Sequence, residues 1–241
     1  MPNRQVLLSW VFMMPPVLRK RSFVVFDLDG TLIHIVPDLR VALNGLLIEL
    51  GGRSLEADEV RQMVGAGVDR LIERAMTAAA LSTMAWEGGL APLVRRFLEI
   101  YESAPTALTR CWPGAETVLE TLIASGYWLG LCTNKPHRAT LDILAQLDLT
   151  RFFSAVVGGD STSHIKPDPR PLMATLDALG ARLDEAVMVG DSANDVGVAR
   201  NAGIPVIVVS FGYAGISPQA MGADAVIDAF SELPAALEGL C

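Results

Sequence analysis

Apolar residues along the chain fall into two alternating patterns. Short runs rich in Val, Ile and Phe are typical of buried strands, whereas apolar residues that recur every three or four positions indicate amphipathic helices. The runs predict strands over residues 22–26, 127–132, 155–157, 186–189, 205–209 and 225–227. The helical spacing predicts helices over residues 113–122, 136–147, 169–179, 193–202 and 232–237.

The segment after the first strand differs from the rest of the chain. It contains no strand pattern, and helical spacing recurs over residues 38–50, 59–64, 68–80 and 90–101. Elsewhere strands alternate with helices, which predicts a parallel sheet with helices on both faces. We therefore predict an α/β fold with a doubly wound, Rossmann-like core formed by residues 21–34 and 106–241. A helical cap domain of residues 35–105 is inserted after the first strand.

Residues 1–20 are predicted to form a poorly ordered leader. Their apolar run, residues 5–18, is too short to span a membrane and contains Pro15 and Pro16. One basic residue precedes this run and three follow it directly. In a signal peptide, the basic residues precede the apolar run. The three cysteines are widely spaced and odd in number, which argues against a disulfide scaffold. We therefore expect a cytoplasmic protein without a membrane segment.

The charge of the chain limits its partners. Lys and Arg number 19 against 27 Asp and Glu, which gives a net charge of −8. An acidic protein lacks the basic surface that most nucleic-acid binders use, so we expect no nucleic-acid partner. A small anion can still bind where basic side chains gather locally. The only lysines in the sequence are Lys20, Lys135 and Lys166, so the position of each is informative.

Residues that can carry chemistry follow the predicted strands or precede the next helix. They are Asp27, Asp29, Thr133, Asn134, Lys135, Lys166, Asp191 and Asp195. Ligands of such sheets bind at the carboxyl ends of the strands, so these side chains are expected to converge at one edge. Crowded carboxylates are unfavourable without a cation between them, and oxygen ligands suit Mg²⁺. Lysines beside the carboxylates could bind an anion. The combination of carboxylates, a metal and anion-binding lysines indicates phosphoryl transfer.

Four segments resemble the ordered motifs of the haloacid dehalogenase superfamily. They are Asp27-Leu28-Asp29-Gly30-Thr31-Leu32, Thr133-Asn134-Lys135-Pro136, Lys166-Pro167-Asp168-Pro169 and Gly190-Asp191-Ser192-Ala193-Asn194-Asp195. Within the superfamily, the chain is most similar to phosphoglycolate phosphatases. That resemblance also covers Gly65-Ala66-Gly67-Val68, Gly158-Gly159-Asp160 and Phe211-Gly212-Tyr213. It implies a hydrolase of a small phosphorylated metabolite, with 2-phosphoglycolate as one candidate substrate.

The resemblance also implies the role of each site residue. Asp27 is expected to be the nucleophile that becomes an aspartyl-phosphate, and Asp29 the proton donor and then the base. Mg²⁺ is expected on Asp27, the Asp29 backbone carbonyl and Asp191. The expected supporting residues are Asp195 for the metal, Gly30, Thr133 and Asn134 for the phosphoryl group, and Lys166 for its growing negative charge.

Two alternatives remain open from the sequence. A sugar-phosphate mutase of the same superfamily would share these motifs, although Gly190-Asp191 is more typical of the phosphatases. A phospho-accepting signalling module would also place aspartates at strand ends, but without turnover. His34 and Ile35 stand where the superfamily usually has an acidic residue and a serine, which leaves the substrate open. The sequence does not indicate how many copies of the chain associate.

Overall fold

The computed structural model describes residues 21–82, 88–103, 107–213 and 217–240. The predicted leader and the predicted boundary at residues 105 and 106 lie outside them, so both remain predictions. The strands are β1 (Phe23–Phe26), β2 (Ile33–His34), β3 (Arg110–Cys111), β4 (Trp128–Cys132), β5 (Ala155–Val157), β6 (Ala186–Gly190), β7 (Val206–Val209) and β8 (Ala225–Ile227).

The helices divide into two groups along the chain. The first group lies between β2 and β3 and comprises α1 (Val36–Glu49), α2 (Ala57–Arg61), α3 (Val68–Ala78) and α4 (Leu90–Glu102). The second group alternates with the later strands and comprises α5 (Ala115–Ala124), α6 (His137–Gln146), α7 (Arg170–Leu179), α8 (Ala193–Ala202) and α9 (Leu233–Gly239). Within the described ranges, each helix is too short or too polar to cross a membrane.

The main sheet has six parallel strands in the order β5-β4-β1-β6-β7-β8. Val24, Val25 and Phe26 of the central strand β1 are fully buried, as expected for a strand covered on both faces. Successive side chains of a strand point to opposite faces. Val24 and Phe26 accordingly belong to the same apolar cluster as residues of α5, α6 and α9, and Val25 belongs to a second cluster with residues of α7 and α8. The predicted doubly wound α/β fold is confirmed.

A second, two-stranded sheet was not predicted. In it β2 runs antiparallel to β3, with Ile33 opposite Cys111 and His34 opposite Arg110. A strand of two residues has no periodicity that a sequence pattern can show. These strands carry the chain into and out of the segment that contains α1–α4, which we call the cap. The division of the chain into a cap and a core domain remains a prediction.

Asp38 holds the two crossings of the cap together. Its buried carboxylate, on the first turn of α1, accepts hydrogen bonds from the Leu108 amide at 3.0 Å and from Thr109. The Thr109 amide and hydroxyl each donate to Asp38 at 2.6 Å. Three donors from the returning chain therefore meet one carboxylate on the departing chain.

We expect Asp38→Asn to lower the free energy of unfolding by about 2 kcal/mol or more. The amide group can accept from some of these donors, but its own N–H₂ must face the others, which leaves buried donors without an acceptor. Urea unfolding measures the loss. The matched control is Asp177→Asn on the exposed surface of α7. Equal stability of the two variants would contradict the clamp at Asp38.

Candidate active site

The loop after β1 places two carboxylates against one cavity. The Asp27 amide continues the sheet by donating to Val189 O at 2.9 Å, and both Asp27 and Asp29 line the cavity. The chain then turns at Gly30, whose φ of +93° favours glycine and whose amide donates to Ile33 O. A Cβ atom on Gly30 would overlap the Asp191 carboxylate. The structure thus gives Gly30 a part in close packing, and its predicted contact with a phosphoryl group remains a prediction.

Lys166 connects two of the buried carboxylates. Its ammonium group donates to Asp27 Oδ1 at 2.7 Å, to Asp195 Oδ1 at 2.6 Å and to the Cys132 carbonyl at 2.8 Å. Burial lowers the pKa of Lys166, but Asp195 and Asp27 outweigh it and hold that pKa well above the ordinary value. An ammonium has three N–H donors, so Lys166 uses all of them on these groups. It therefore stays charged and fixes the orientation of Asp27.

Three buried carboxylates form a group with room for a cation. Ligand oxygens of Asp27, Asp191 and Asp195 lie within 4.8 Å of one another. Burial raises the pKa of Asp27 to about 6, with Lys166 acting against the shift and Asp195 adding to it. Burial, Asp195 and Asp27 raise the pKa of Asp191 well above its ordinary value. Three carboxylates against one lysine leave an excess of negative charge that a divalent cation would neutralise.

Asp191 and Asp195 differ in how their oxygens are used. Asp195 Oδ2 accepts from the Asp191 amide, the Ser192 amide and the Ser192 hydroxyl at 2.6–3.2 Å, which fixes the turn from β6 into α8. Asp191 accepts from the Thr31 hydroxyl at 3.1 Å and from the Tyr213 amide at 2.6 Å. Asp195 is thus held by its own loop and by Lys166, as a supporting residue would be, whereas Asp191 is oriented by Thr31 and Tyr213 from other parts of the chain.

Thr133 and Asn134 follow β4 and also line the cavity. The Thr133 hydroxyl accepts from the Lys135 amide at 3.3 Å. The Asn134 amide nitrogen donates to Gly65 O of the cap at 3.0 Å and to Lys166 O at 3.1 Å, and its oxygen accepts from the Lys166 amide at 2.8 Å. The Asn134 side chain therefore positions the Lys166 loop and meets the cap. Its predicted contact with the phosphoryl group remains a prediction.

Further hydrogen bonds hold the cap over the cavity. Asn194, in the first turn of α8, donates to the same Gly65 carbonyl at 3.0 Å. Arg61 of α2 donates to Gly212 O at 2.6 Å and to Phe211 O at 3.0 Å. Two asparagines of the core thus donate to one carbonyl of the cap, and an arginine of the cap donates to two carbonyls of the core. These hydrogen bonds hold the cap in a closed position against the core.

Tyr213 links the carboxylate group to the crossings of the cap. Its amide holds Asp191, while its hydroxyl accepts from the Ile35 amide at 2.8 Å and lies 2.9 Å from His34 Nδ1. Burial and the nearby Arg61 lower the pKa of His34. His34 thus makes local contacts beside the cap, and it is Tyr213, to which the sequence assigned no role, that spans from there to Asp191.

The cavity lies between the cap and the ends of β1 and β4. It has a volume of about 60 Å³. Apart from the loop residues already described, its wall includes Leu39, Val68, Leu71, Phe97, Tyr101 and Lys135. Two aspartates on one side and apolar cap residues on the other enclose a space for a small ligand with a charged head.

The comparisons with known proteins agree with this arrangement. The family model described as haloacid dehalogenase-like hydrolase matches residues 24–209. The chain belongs to the haloacid dehalogenase-like hydrolases. A phosphoglycolate phosphatase of Rhodospirillum rubrum is 44% identical over 212 residues, which cover 87% of this chain and 88% of the relative. Another, from Caulobacter vibrioides, is 42% identical over 88% of this chain and 89% of its own length.

A solved structure of another protein has the same fold as this haloacid dehalogenase-like hydrolase. It is the crystal structure of a predicted phosphoglycolate phosphatase from Haemophilus somnus, with a TM-score of 0.85 and 30% identity. The match covers 91% of this chain and 99% of that one. Together these matches confirm the family expected from the four motifs and the expected enzyme class, a phosphatase.

Proposed function

We propose that the chain is a Mg²⁺-dependent, cytoplasmic phosphatase of 2-phosphoglycolate that works through an aspartyl-phosphate on Asp27. The observation that carries the proposal is the pair Asp27 and Asp29 in one cavity wall, with Asp27 held by Lys166 at 2.7 Å. A nucleophile must be oriented and ionised, and a bonded lysine supplies both conditions. The curated relatives named above bear the same activity in their names.

In the first step a carboxylate oxygen of Asp27 attacks the phosphorus atom. The bond from phosphorus to the ester oxygen breaks, and Asp29 gives its proton to that oxygen as the alcohol leaves. Asp29 suits this role because its buried Oδ1 has no hydrogen-bond partner within the described ranges and can therefore carry the proton. An oriented acid beside the leaving oxygen lowers the barrier to its departure.

In the second step the Asp29 carboxylate takes a proton from water. The water oxygen attacks the phosphorus atom, the acyl-phosphate bond breaks, and Asp27 is regenerated together with inorganic phosphate. Asp29 is protonated again and ready for the next substrate. The hydrogen bonds between cap and core keep other water out while the acyl-phosphate exists.

The donor set fits a magnesium ion. Asp27 and Asp191, with the Asp29 backbone carbonyl, would hold it, and Asp195 would support their loop through the bonds already described. When bound, Mg²⁺ neutralises the charge of the phosphoryl group and of the crowded carboxylates. The three buried carboxylates carry more negative charge than Lys166 neutralises, and a bound cation would neutralise the excess.

Mg²⁺ should stabilise the protein, and Asp191→Asn should abolish this stabilisation. In EDTA near pH 7, we expect the variant to be more stable than the wild type by about 1 kcal/mol or more, because it lacks one of three repelling charges. A carboxyl whose pKa is raised by folding loses its stability contribution as pH rises through that pKa. The amount by which the wild type is less stable than the variant should therefore grow as the pH rises from about 4 to above 6.

Thermal unfolding with EDTA or with Mg²⁺ measures both effects. Added Mg²⁺ should raise the melting temperature of the wild type and of the exposed control Asp177→Asn, and should leave Asp191→Asn nearly unchanged. Equal stabilisation of all three proteins by Mg²⁺ would remove Asp191 from the metal site.

The size of the cavity supports a small substrate. A volume of about 60 Å³ has room for roughly four to six waters, which fits a two-carbon phosphoester better than a hexose phosphate. A sugar-phosphate mutase is therefore disfavoured, in agreement with relatives that bear phosphatase names. A signalling module would accept phosphate once, whereas an enzyme releases it repeatedly.

A panel of phosphoesters compared by kcat/KM tests the proposed substrate. With Mg²⁺, we expect 2-phosphoglycolate to be the best substrate and hexose phosphates to be poor ones. Conversion of glucose 1-phosphate to glucose 6-phosphate without phosphate release would instead support a mutase. Release of no more than one phosphate per protein molecule would support the signalling module.

A further inference from the structure

Two buried lysines line the same region but use their ammonium groups differently. Lys166 donates three hydrogen bonds of 2.6–2.8 Å and has no donor to spare. Lys135 is also buried, but its contacts are longer, at 3.4 Å to Asp29 Oδ2 and 3.3 Å to the Tyr101 hydroxyl. Within the described ranges these two contacts leave one of its three N–H groups for a ligand. Lys135, rather than Lys166, is therefore the lysine available to an incoming anion.

Tyr101 brings the cap to this lysine. It lies near the end of α4, is buried, and stacks on Phe97 with ring centroids 5.9 Å apart and an interplanar angle of 15°. The Lys135 ammonium lies 5.0 Å from the centre of the Tyr101 ring. Because the hydroxyl oxygen accepts from Lys135, the hydroxyl hydrogen points elsewhere and can be donated to a ligand oxygen. Lys135 and Tyr101 together thus offer two donors from opposite sides of the cavity.

The rest of the cap wall offers no competing charge. Its other described lining residues are Leu39, Val64, Gly65, Gly67, Val68, Leu71, Phe97 and Leu98. Of all the described lining residues, Lys135 is the one whose side chain is positively charged. Among the described lining residues, a negative group on the substrate's leaving portion would therefore find its cationic partner at Lys135.

The position of Lys135 relative to Asp29 fixes which negative group it can meet. Under the proposed function, Asp29 gives its proton to the ester oxygen of the substrate. In 2-phosphoglycolate the carboxylate carbon is two bonds from that oxygen. The Lys135 ammonium lies 3.4 Å from Asp29 and is therefore close to the leaving oxygen. The carboxylate of 2-phosphoglycolate must lie in the same region.

We propose that Lys135 and Tyr101 form the subsite that binds the carboxylate of the substrate and so select phosphoesters of 2-hydroxy acids. This inference rests on the proposed function, because Asp29 defines the position of the leaving oxygen. Cap closure contributes directly to selection, since Tyr101 reaches Lys135 only from the cap side. An alcohol phosphate without the carboxylate would leave the buried Lys135 without its ligand.

The test compares two substrates that differ at one group. 2-Phosphoglycolate carries the carboxylate, and 2-hydroxyethyl phosphate has a neutral hydroxymethyl group in its place. The readout is the ratio of their kcat/KM values with Mg²⁺ for the wild type, Lys135→Met and Tyr101→Phe. Loss of the contact between Lys135 and Asp29 affects both substrates, so the ratio isolates recognition of the carboxylate.

We expect Lys135→Met to reduce this ratio by at least about 30-fold, the usual effect of removing one partner of a buried charge pair. Tyr101→Phe keeps the ring and removes only the hydroxyl, so its ratio should fall by about 10-fold. The control is Arg138→Met, which removes an exposed cation on α6 and should leave the ratio unchanged.

Unchanged ratios in both variants, with 2-phosphoglycolate still preferred, would overturn the subsite while leaving the proposed function intact. Should Lys135→Met fail to fold, the ratio of Tyr101→Phe decides alone, and an unchanged ratio there overturns the paired subsite. A wild-type enzyme that hydrolyses neither substrate but acts on others contradicts the proposed function itself. A melting temperature for each variant with Mg²⁺ identifies any that are unfolded.

Discussion

Asp27→Asn should lower kcat for 2-phosphoglycolate by at least about a thousandfold, the scale seen when a covalent nucleophile is removed. The amide has nearly the same shape as the carboxylate, and its oxygen can still accept the hydrogen bond from Lys166, so the fold should persist. Because the amide is a poor nucleophile, the attack on phosphorus is the step that is lost. Steady-state phosphate release with Mg²⁺ measures the effect.

The stability of the same variant separates chemistry from folding. Asp27 is one of three crowded carboxylates, and its pKa is raised to about 6 chiefly by burial. Removing its charge should leave the metal-free protein at least as stable as the wild type near pH 7. Asp142→Asn, on the exposed side of α6, is the control for activity. A stable Asp27→Asn enzyme within tenfold of the wild-type kcat would contradict the assignment of the nucleophile.

Lys166→Met should destabilise the protein by about 3–5 kcal/mol, the usual effect of breaking a buried ion pair from one side. Lys166 is the shared partner of Asp27 and Asp195, and its side chain is 2% exposed. Without it, two buried carboxylates face each other unpaired. Urea unfolding in EDTA should show a larger loss at high pH than at low pH, because both carboxylates can take up protons in acid.

An exposed ion pair in the same loop provides the matched control. Arg170 and Asp168 form a pair at 2.6 Å, but the Arg170 side chain is 55% exposed. Arg170→Met should therefore change the free energy of unfolding by less than about 1 kcal/mol. If Lys166→Met and Arg170→Met had similar small effects, the buried lysine would not be the electrostatic centre of this site.

The sheet and the loops of the candidate site could be predicted from the sequence because each depends on local patterns. Strands covered on both faces are continuously apolar, as Val24, Val25 and Phe26 are, and helices with one buried face have a recurring period. The rule that ligands bind at the carboxyl ends of parallel strands then selected Asp27, Asp29, Thr133 and Asp191. The expected convergence of these residues required only that the strands be parallel, which the alternation of strands and helices predicted.

The contacts between cap and core could not be predicted in the same way. Tyr101 and Asp38 occupy helical positions at which a tyrosine or an aspartate is ordinary, and their partners lie far away in the sequence. Tyr213 belongs to a segment that supported the family resemblance, yet no local pattern places its amide on Asp191. Such roles depend on how distant elements pack, which periodicity does not encode.

The two lysines show how the structure refines an interpretation based on composition. Their scarcity indicated that Lys135 and Lys166 bind an anion, and the family resemblance gave a role at the phosphoryl group to Lys166 alone, which remains a prediction. Hydrogen-bond geometry separates them, because Lys166 is fully engaged by Asp27, Asp195 and a backbone carbonyl. Lys135 has longer contacts and faces the cavity. Under the proposed function, Lys166 would orient Asp27, and Lys135 would be available to the substrate.

Chemical trapping of the phosphorylated enzyme tests the central claim most directly. Wild-type enzyme turning over 2-phosphoglycolate with Mg²⁺ would be quenched rapidly and treated with borohydride, which reduces an acyl-phosphate to an alcohol. Peptide mass spectrometry should then find homoserine at position 27, and only in samples that contained substrate. Trapping at another carboxylate, or an undiminished rate of phosphate release by Asp27→Asn, would contradict an aspartyl-phosphate on Asp27.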